Sequence, residues 1–299
     1  MTPGPADREC LVCRTVAPPR ETATVRCNVR RYRDQRFGLW RCPHCQSLHT
    51  EKFVDLSAYY EGYPIRRQGL DYLLRVFFRG LAKRLAHAGF TRGERLLDYG
   101  CNTGLFVDYL RGRGFNAAVG YDPYVDAFKR PELLKEKYDV VFSSDVLEHD
   151  DDPRGHFARL VGLLSPGGLL AVQTPNAEGI DLSRPEEHLH QIHVPYHRHI
   201  LSLNSLVALG GDHGLYPIRV YNRWYMDSFW PGCSRRFLES WLKTQGNLID
   251  AAYEPPRYGL FFKHPVLLWL FFFGGFPSSP KTDHVMVLFR KNPGTAIPN

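Results

Sequence analysis

The sequence lacks the features that mark several simple classes of protein. None of its apolar runs reaches the roughly 20 residues that span a bilayer. Its first residues are polar, without the apolar segment of a secretion signal. Basic residues never occur five in a row, although the net charge is +7. We therefore expect a globular, cytoplasmic protein with a mildly basic surface, and we leave peripheral membrane contact open.

Cysteine is scarce, yet two C-x-x-C pairs occur, Cys10 with Cys13 and Cys42 with Cys45. Four thiolates at this spacing suit tetrahedral Zn²⁺, and such pairs in an intracellular protein favour a metal over disulfides. Strand-forming residues at 22–28 and 36–40 flank a polar turn between the pairs. The sequence thus predicts a structural zinc ribbon over residues 1–55, because so short a segment buries too little apolar surface to fold alone.

Residues 56–92 combine an aromatic linker with a helical pattern. Three tyrosines lie between positions 59 and 63. Large apolar residues from Leu70 to Leu85 then recur at helical spacing before Gly89. This pattern predicts an amphipathic helix that bridges the ribbon to the rest of the chain.

From Arg95 onward the pattern alternates between strands and helices. Strands are predicted at 95–99, 117–121, 138–143, 169–174, 216–221 and 284–290, and helices at 104–113, 154–164 and 203–213. This alternation predicts a doubly wound α/β domain with a mostly parallel sheet of the seven-stranded type. The stretch between residues 122 and 138 is short and interrupted by Pro131, so it shows no clear third strand. We place the core at 93–222, and a closing strand and tail at 284–299.

Residues 223–283 do not follow this alternation. They are rich in Trp, Phe and Pro and contain the apolar run 265–273. We interpret them as an insertion that caps the domain and determines the substrate. Monotopic membrane contact and a role as the wall of an apolar-substrate pocket remain alternatives.

The first strand of the core leads into Asp98-x-Gly100-x-Asn102-x-Gly104, which differs from the dinucleotide motif G-x-G-x-x-G. It resembles motif I of the class I S-adenosylmethionine (SAM) methyltransferases, D-x-G-x-G-x-G. Three further segments resemble motifs of that family in the same order: the acidic strand end 119–123, the segment 138–149 with its V-L-E-H sequence, and the L-x-P-G-G-like turn 163–168. Asn102 replaces the middle glycine, and asparagine tolerates positive φ, so the turn can persist.

The resemblance covers residues 95–221 and implies a SAM site at this strand end. The implied cofactor-binding residues are Asp98, Gly100, Asn102, Gly104, Asp122 and, as a substitute on the adenine side, Asp145. Asp98 would face the amino-acid end of SAM, and Asp122 would accept its ribose hydroxyls. The alternatives are a helix N-cap at Asp98 and a turn residue at Asp122.

Asp145, Glu148 and His149 follow at i, i+3 and i+4, a spacing that puts three side chains on one face of a helical turn. They resemble the acidic–acidic–histidine motif of ubiquinone-biosynthesis O-methyltransferases. That resemblance implies a divalent ion that lowers the pKa of a catechol-like hydroxyl pair. A helix cap with polar contacts is the alternative.

Histidines crowd the segment 185–200, at His188, His190, His193, His197 and His199. The segment follows a predicted strand end, so it borders the same cleft. A neutral histidine there can take a proton as a methyl group is transferred. We name His197, His199 and His149 as candidate catalytic residues, with a structural histidine that orders the loop as the alternative.

Together these observations predict a SAM-dependent methyltransferase that acts by in-line displacement on a small molecule, such as a sugar or a catechol-like metabolite. The ribbon and tyrosine linker also resemble those of deoxysugar C-methyltransferases. Those proteins carry a further large C-terminal domain, so we do not extend their substrate to this chain. We do not expect nucleic acid as a partner. An RNA methyltransferase that uses the arginine-rich ribbon, a lipid methyltransferase and a catalytically silent binding protein remain alternatives.

Overall fold

The first part of the chain folds as a small antiparallel β unit. The computed structural model of the protein describes residues 6–61, 63, 69–222, 227–255, 257–275 and 284–292. β1 (Arg8–Glu9) pairs with β2 (Val16–Ala17), while β3 (Glu21–Arg26), β4 (Arg36–Arg41) and β5 (Leu48–Thr50) form a second antiparallel sheet. The two strands predicted between the cysteine pairs are confirmed, and the first of them ends two residues earlier than expected.

The linker and the bridging helix follow as α1 (Ser57–Glu61) and α2 (Tyr72–His87). α2 begins where the carboxylate of Asp71 accepts the N–H of Leu74 at 2.9 Å, which caps its first turn. Its buried side chains repeat every three or four residues, at Leu74, Phe77, Leu81 and Leu85. The predicted amphipathic helix is therefore confirmed.

The remaining elements run in order β6 (Leu96–Tyr99), α3 (Leu105–Arg111), β7 (Ala118–Tyr121), β8 (Tyr138–Ser144), α4 (Pro153–Gly162), β9 (Leu164–Pro175), α5 (Leu189–Ile192), β10 (His199–Ile200), α6 (Leu203–Asp212) and β11 (Leu215–Tyr221). The insertion contributes α7 (Arg235–Lys243), α8 (Asp250–Tyr253), α9 (Gly259–Lys263) and α10 (Pro265–Phe273), and β12 (His284–Lys291) is the last strand. The strands and helices predicted from the alternation are all present, and most of their ends differ by one or two residues.

Six strands form the central sheet in the order β7-β6-β8-β9-β12-β11. The first four are parallel to one another, whereas β12 is antiparallel to both of its neighbours. Between β7 and β8 the described chain forms two short 3-10 turns, Asp126–Phe128 and Pro131–Lys135, in place of a strand. The predicted doubly wound sheet without a third strand is confirmed, and β7 forms its edge.

Alternate residues of the central strands face opposite layers of helices. Leu96 and Val140 lie in the apolar cluster formed with α2 and α3, and Leu97 and Val141 lie in the cluster formed with α4 and α6. Successive side chains of a strand point to opposite faces, so a sheet covered on both faces needs apolar residues throughout. The carboxyl ends of β6, β7 and β8 remain at one edge, where a ligand can be bound.

The predicted turn at 165–168 lies inside β9 instead of before it. Tyr138 pairs with Leu164 and Val140 with Leu169, so four residues bulge out of the ladder between these pairs. Gly167 in the bulge has a φ of +72°, which explains why glycine occurs there.

β10 joins the sheet of the ribbon rather than the central sheet. His199 lies opposite His49 and Ile200 opposite Leu48, which gives the order β10-β5-β4-β3. The N–H of Thr50 also donates to the carbonyl oxygen of Arg198 at 3.0 Å. The division of the chain at residues 55, 92, 222 and 283 remains a prediction, but the ribbon sheet takes its fourth strand from the core segment.

The helices of the insertion pack against one another, and the insertion also forms hydrogen bonds to the ribbon. Its helices pack around Phe237, Trp241, Leu267 and Leu270. The N–H of Ile249 donates to the carbonyl oxygen of Asn28 at 2.8 Å, and the carboxylate of Asp250 accepts the N–H of Arg30 at 2.8 Å. Among the described residues, none of the helices has the length and apolar character needed to traverse a bilayer.

Candidate functional site

The loop after β6 has a strained backbone that its sequence is suited to adopt. Gly100, Asn102 and Gly104 have φ values of +82°, +50° and +75°. A Cβ on Gly100 would lie 2.3 Å from the side chain of Val146, and one on Gly104 would lie 2.1 Å from the ring of Phe128. Glycine is therefore required at both positions by conformation and by packing. Asn102 adopts the left-handed conformation, as expected for an asparagine in this motif.

Asp122 ties this loop to the end of β7. Its carboxylate accepts the N–H of Asn102 at 2.9 Å and the N–H of Tyr124 at 2.8 Å. Asp98 is buried at the end of β6, where burial and, second, the charge of Asp122 raise the pKa of its carboxyl group to about 8. The two acids predicted to hold SAM therefore lie close enough for their charges to interact, at the carboxyl ends of neighbouring strands.

The chemistry of the loop fits a cationic ligand with several polar groups. The side-chain oxygen of Asn102 is buried and has no hydrogen-bond partner within the described residues. A buried acceptor without a donor is costly, so this oxygen is suited to receive a ligand N–H or O–H. Asp98 and Asp122 would supply negative charge to such a ligand. These residues match the polar and cationic groups of SAM.

Asp145 is not part of a helical turn, so the expected shared face of Asp145, Glu148 and His149 is wrong. Its φ is +55°, and only Leu147–His149 forms a 3-10 turn. The carboxylate of Asp145 instead accepts hydrogen bonds from Ser144 Oγ at 2.9 Å and Gln173 Nε2 at 3.3 Å. Burial raises the pKa of Asp145, and its assignment to the adenine side remains a prediction.

Glu148 and His149 lie beside His197 instead. His197 follows His149 by 48 positions, so local spacing in the sequence does not indicate this contact. One ligand atom from each of the three side chains lies within 4.8 Å of the other two. Glu148 Oε2 accepts the hydroxyl of Thr174 at 3.1 Å. Its Oε1 is buried, has no hydrogen-bond partner among the residues that the structure describes, and lies 3.9 Å from His197 Nε2. Burial and the charge of Asp145 raise the pKa of Glu148 well above its usual value.

The hydrogen bonds of His197 define which of its nitrogens is available. Its Nδ1 lies 2.7 Å from the carbonyl oxygen of Gln191, which can only accept, so Nδ1 carries the proton. Burial and the neighbouring histidines lower the pKa of His197 well below its ordinary value. The ring is therefore neutral at pH 7, and the lone pair of Nε2 faces Glu148.

His149 lies on the opposite side of the same group. Its ring meets that of His197 edge-on at 4.8 Å, and its Nδ1 lies 3.1 Å from the hydroxyl of Tyr60. Burial lowers the pKa of His149 to about 4. Tyr60 also stacks on Tyr124 at 5.8 Å, which connects the histidines to the Asp122 side of the site.

His193 forms a second buried link to the linker tyrosines. Asn28 Nδ2 donates to the carbonyl oxygen of Leu189 at 3.1 Å, so its Oδ1 faces His193 Nδ1 at 2.7 Å and accepts that proton. His193 Nε2 then accepts the hydroxyl of Tyr63 at 2.9 Å. Burial lowers the pKa of His193, so this chain holds a neutral ring in one orientation.

His199 lies in a different environment from His149 and His197. In β10 its Nδ1 is 2.8 Å from Nδ1 of His49, whose Nε2 is 3.2 Å from Cys10 Sγ. Burial lowers the pKa of His199 to about 4. Its catalytic role remains a prediction, and its observed contacts are with the cysteine cluster. His188 lies in the 3-10 turn Pro185–His188, and His190 Nδ1 lies 3.5 Å from Asn28 Nδ2.

The four predicted zinc ligands meet in the N-terminal unit. Their sulfur atoms lie within 4.8 Å of one another, with Cys10 3.5 Å from Cys45 and Cys13 3.7 Å from Cys42. The donor set and this grouping fit a tetrahedral Zn²⁺ site.

The two C-x-x-C loops share one backbone conformation. Arg14 and Gln46, which follow the second cysteine of each pair, both have a φ of +64°. Their N–H groups donate to the carbonyl oxygens of Cys10 and Cys42 at 2.7 and 3.2 Å. Two separate segments thus adopt the same turn around one cluster, as expected of a pair of metal-binding loops.

Sequence reasoning missed several residues of the site. Tyr60 and Tyr63 were recognised only as linker aromatics, and Asn28 and Thr174 gave no signal. The only available signal for the tyrosines was their clustering before a helix, because their partners lie 89 and 130 positions away.

Comparison with known proteins identifies the class. A model of the family described as "Methyltransferase domain" matches residues 71–220, half of the chain. The chain belongs to this family, and the expectation that it is a methyltransferase is confirmed.

Individual relatives are more distant. A tRNA U34 carboxymethyltransferase of Geobacter sp. (strain M21) is 29% identical over 117 residues, which cover 32% of this chain and 36% of that protein. One from Pseudomonas aeruginosa (strain LESB58) is 35% identical over 143 residues, which cover 40% and 42%. The chain thus spans less than half the length of these curated relatives. A solved Haemonchus contortus phosphoethanolamine N-methyltransferase 2 in complex with S-adenosyl-L-methionine is 15% identical, with a TM-score of 0.46 and coverage of 82% of this chain and 62% of that one.

Proposed function

We propose that the chain transfers a methyl group from SAM to a small-molecule acceptor. One observation carries this proposal: the motif I loop and the group Glu148, His149 and His197 adjoin each other. Val146, two residues before Glu148, packs on Gly100 of the loop. A cationic methyl donor in the loop would therefore lie beside a buried carboxyl group and a neutral imidazole.

In this proposal Asp122 accepts the ribose hydroxyls of SAM, and Asp98 attracts its amino-acid ammonium group. When bound, SAM supplies a methyl carbon whose bond to sulfur breaks with the electron pair remaining on sulfur. The acceptor's nucleophilic atom forms the new bond to that carbon. His197 Nε2 takes the proton that the acceptor loses. His149 and Tyr60 orient the acceptor on the other side.

A divalent ion at this group is the alternative to a histidine base, because His197 Nε2 cannot bind a metal and take a proton with the same lone pair. Glu148, His149 and His197 offer an oxygen and two imidazole nitrogens, a donor set that suits a transition-metal ion. Glu148 Oε1, which has no hydrogen-bond partner within the described part of the chain, is suited to bind a cation. The ion would lower the pKa of a bound hydroxyl. Asp145, named with these residues from the sequence, would lie outside that ligand set.

The structural Zn²⁺ of the N-terminal unit would be held by Cys10, Cys13, Cys42 and Cys45. It would supply the folding free energy that a unit of this size lacks. Elemental analysis of the purified chain tests this part. Clearly less than one zinc per chain would refute it.

The decisive experiment is a transfer assay with methyl-labelled SAM against sugars, nucleotide sugars, catechols, lipids and tRNA. Calorimetry with SAM and S-adenosylhomocysteine on the same preparation gives an independent readout. If the wild-type chain binds neither compound, the cofactor assignment is wrong. If it binds both but labels only tRNA, the small-molecule acceptor is wrong.

RNA is the second candidate acceptor, supported by the names of the tRNA-modifying relatives and by exposed arginines in the turn between β3 and β4 and at the start of β4. These are Arg30, Arg31, Arg33 and Arg36. Phosphate contacts from such residues make RNA affinity fall steeply with salt. Replacing Arg31 and Arg33 by alanine should then lower the slope of log affinity against log salt by about 2. An unchanged slope would remove the ribbon from RNA binding.

A further inference from the structure

The insertion carries an apolar surface that the methyl-transfer site does not use. α10 has the sequence Pro-Val-Leu-Leu-Trp-Leu-Phe-Phe-Phe and no polar residue. A helix on the surface of a globular protein normally has one polar face, and a helix that is apolar all round normally has an apolar environment on every side. Only Leu267 and Leu270 of α10 are buried, against Phe237 and Trp241 of α7.

The exposed part of this helix is large. Val266, Leu268, Trp269, Phe272 and Phe273 are between 49% and 65% exposed. These side chains extend around more than one side of the helix, because positions 268 and 272 and positions 266, 269 and 273 form different stripes.

The neighbouring α9, which packs against the cluster of α7 and α10 through Leu260 and Phe261, carries further exposed rings. Phe262 is 89% exposed, and Tyr258, just before α9, is 69% exposed. We call α9, α10 and Tyr258 the aromatic ridge. Monomeric soluble proteins rarely expose contiguous apolar patches of this kind without a partner.

The charged residues within and next to the ridge in sequence are of one sign. Residues 255–275 include Arg257 and Lys263 and no acidic residue. Arg236 of α7 adds a guanidinium group 5.7 Å from the ring of Trp269. The nearest acid in sequence, Glu254, pairs with Arg30 of the ribbon and also accepts from Arg257 at 3.4 Å, so Lys263 and Arg236 carry the charge argument.

From this combination we propose that the aromatic ridge docks on the surface of an anionic lipid bilayer. Aromatic side chains favour the interface between headgroups and acyl chains, and cations beside them attract anionic lipid. α10 has nine residues, about 14 Å of helix, which suits a segment lying in the interface plane. A fluid interface can cover several sides of the helix at once.

Charge distinguishes this occupant from a second copy of the chain. A symmetric dimer through the ridge would place the same cations of both copies against each other. An anionic bilayer neutralises them. This inference goes beyond the proposed function, since it needs neither SAM nor an acceptor.

The test is sedimentation of the chain with vesicles of phosphatidylcholine alone and of phosphatidylcholine mixed with phosphatidylglycerol. The wild-type chain should bind the mixed vesicles, more weakly as salt is raised. Phe262→Ser and the double variant Trp269→Ser with Phe273→Ser should each bind at least about ten-fold more weakly, because each removes buried aromatic area from the interface.

Tyr72→Ser and Tyr216→Ser are matched controls, because these tyrosines are 55% and 44% exposed outside the ridge. They should bind like the wild type. Thermal melting followed by circular dichroism checks that each variant is folded. If the double variant is unstable, Phe262→Ser alone carries the test, because Phe262 is almost fully exposed and its replacement removes little packing.

Three results would overturn the proposal. The first is no binding of the wild-type chain to mixed vesicles at low salt. The second is equal binding by Phe262→Ser. The third is light scattering that shows a dimer dissociated by Phe262→Ser, which would assign the ridge to a second copy.

Discussion

The two sides of the candidate site are built in opposite ways. The loop Asp98–Gly104 is one contiguous segment, held by backbone hydrogen bonds such as that from Gly100 N–H to the carbonyl oxygen of Tyr121 at 2.8 Å. The histidine side brings together the ribbon, the tyrosine linker, the turn at Glu148 and the segment around His197. The first side can be recognised from a motif, whereas the second exists only once the chain has folded. We therefore expect the two sides to respond differently to substitution.

His197→Gln should have the largest effect and should act on one side only. Removing a positioned base reduces turnover by about 10²- to 10⁴-fold, while affinity for SAM should stay near the wild-type value because the loop is untouched. Single-turnover transfer and SAM calorimetry measure the two quantities. His87→Gln, an exposed histidine of α2, is the control. A large loss of SAM affinity in His197→Gln would contradict the separation of the two sides.

Asp122→Asn should give the converse result. Loss of its charge removes charge-assisted hydrogen bonds to the ribose hydroxyls and weakens the loop, so the Kd for SAM should rise by about 10- to 100-fold. Turnover at saturating SAM should change much less. Calorimetry checks the Kd, with the exposed Asp126→Asn as the matched control. Unchanged SAM affinity would remove Asp122 from the cofactor site.

Removal of zinc should disturb the histidine side of the site, although the cysteines do not belong to that side. β5 follows Cys45 and pairs with β10, so loss of the metal should loosen β10 and the His197 segment before it. We expect Cys42→Ser to lower turnover by about ten-fold or more and to lower the melting temperature, because structural zinc contributes to folding.

The same variant should keep most of its SAM affinity. Cys233→Ser, which changes a buried cysteine of the insertion, is the control for loss of a buried thiol. Full turnover in Cys42→Ser protein shown to lack zinc would disprove this coupling.

The pH dependence of SAM binding should reveal the ionisation of Asp98 in the loop. The carboxyl group of Asp98 has a pKa of about 8, raised by burial and then by Asp122, so it is mostly protonated at pH 7. A bound cation favours the ionised form, so binding below pH 8 must release a proton. The association constant should therefore rise by up to about ten-fold per pH unit below 8 and level off above it. Asp98→Asn should bind SAM with a flatter profile, and an equally steep profile would assign the dependence to another group.

Tyr60→Phe should have the smallest effect. It removes the hydrogen bond to His149 Nδ1, a loss of about 0.5–1.5 kcal/mol, which corresponds to a fall in turnover of roughly 2- to 10-fold. Tyr59→Phe is the matched control, because the Tyr59 hydroxyl donates to Gln35 of the ribbon at 2.6 Å instead. Equal effects of the two variants would mean that the linker acts only through packing.

The fold was predictable because its signals are local. Apolar runs with the right period gave the central strands and helices, and even the missing strand after Asp122 could be anticipated from Pro131. The metal-binding loops were equally predictable from the cysteine pairs, since each loop needs only six neighbouring residues to form its turn.

The acceptor side was not predictable for the converse reason. His197 lies beside Glu148 where the Arg198 N–H donates to the carbonyl oxygen of Glu148 at 2.7 Å, a bond between distant segments. Helical spacing suggested Asp145 as the third member of the group, but the chain leaves β8 through a left-handed residue at that position. Local periodicity gives no information about such a turn.

The pairing of β10 with β5 restricts how this protein can be divided or recombined. If the chain is cut after residue 55, neither part keeps a complete sheet and site. The ribbon loses its fourth strand, and the core loses the strand that pairs with His199–Ile200. A chimaera that exchanges the N-terminal unit between relatives should therefore work only when residues 197–200 are exchanged with it. The two segments are expected to be inherited together, although almost 150 residues separate them.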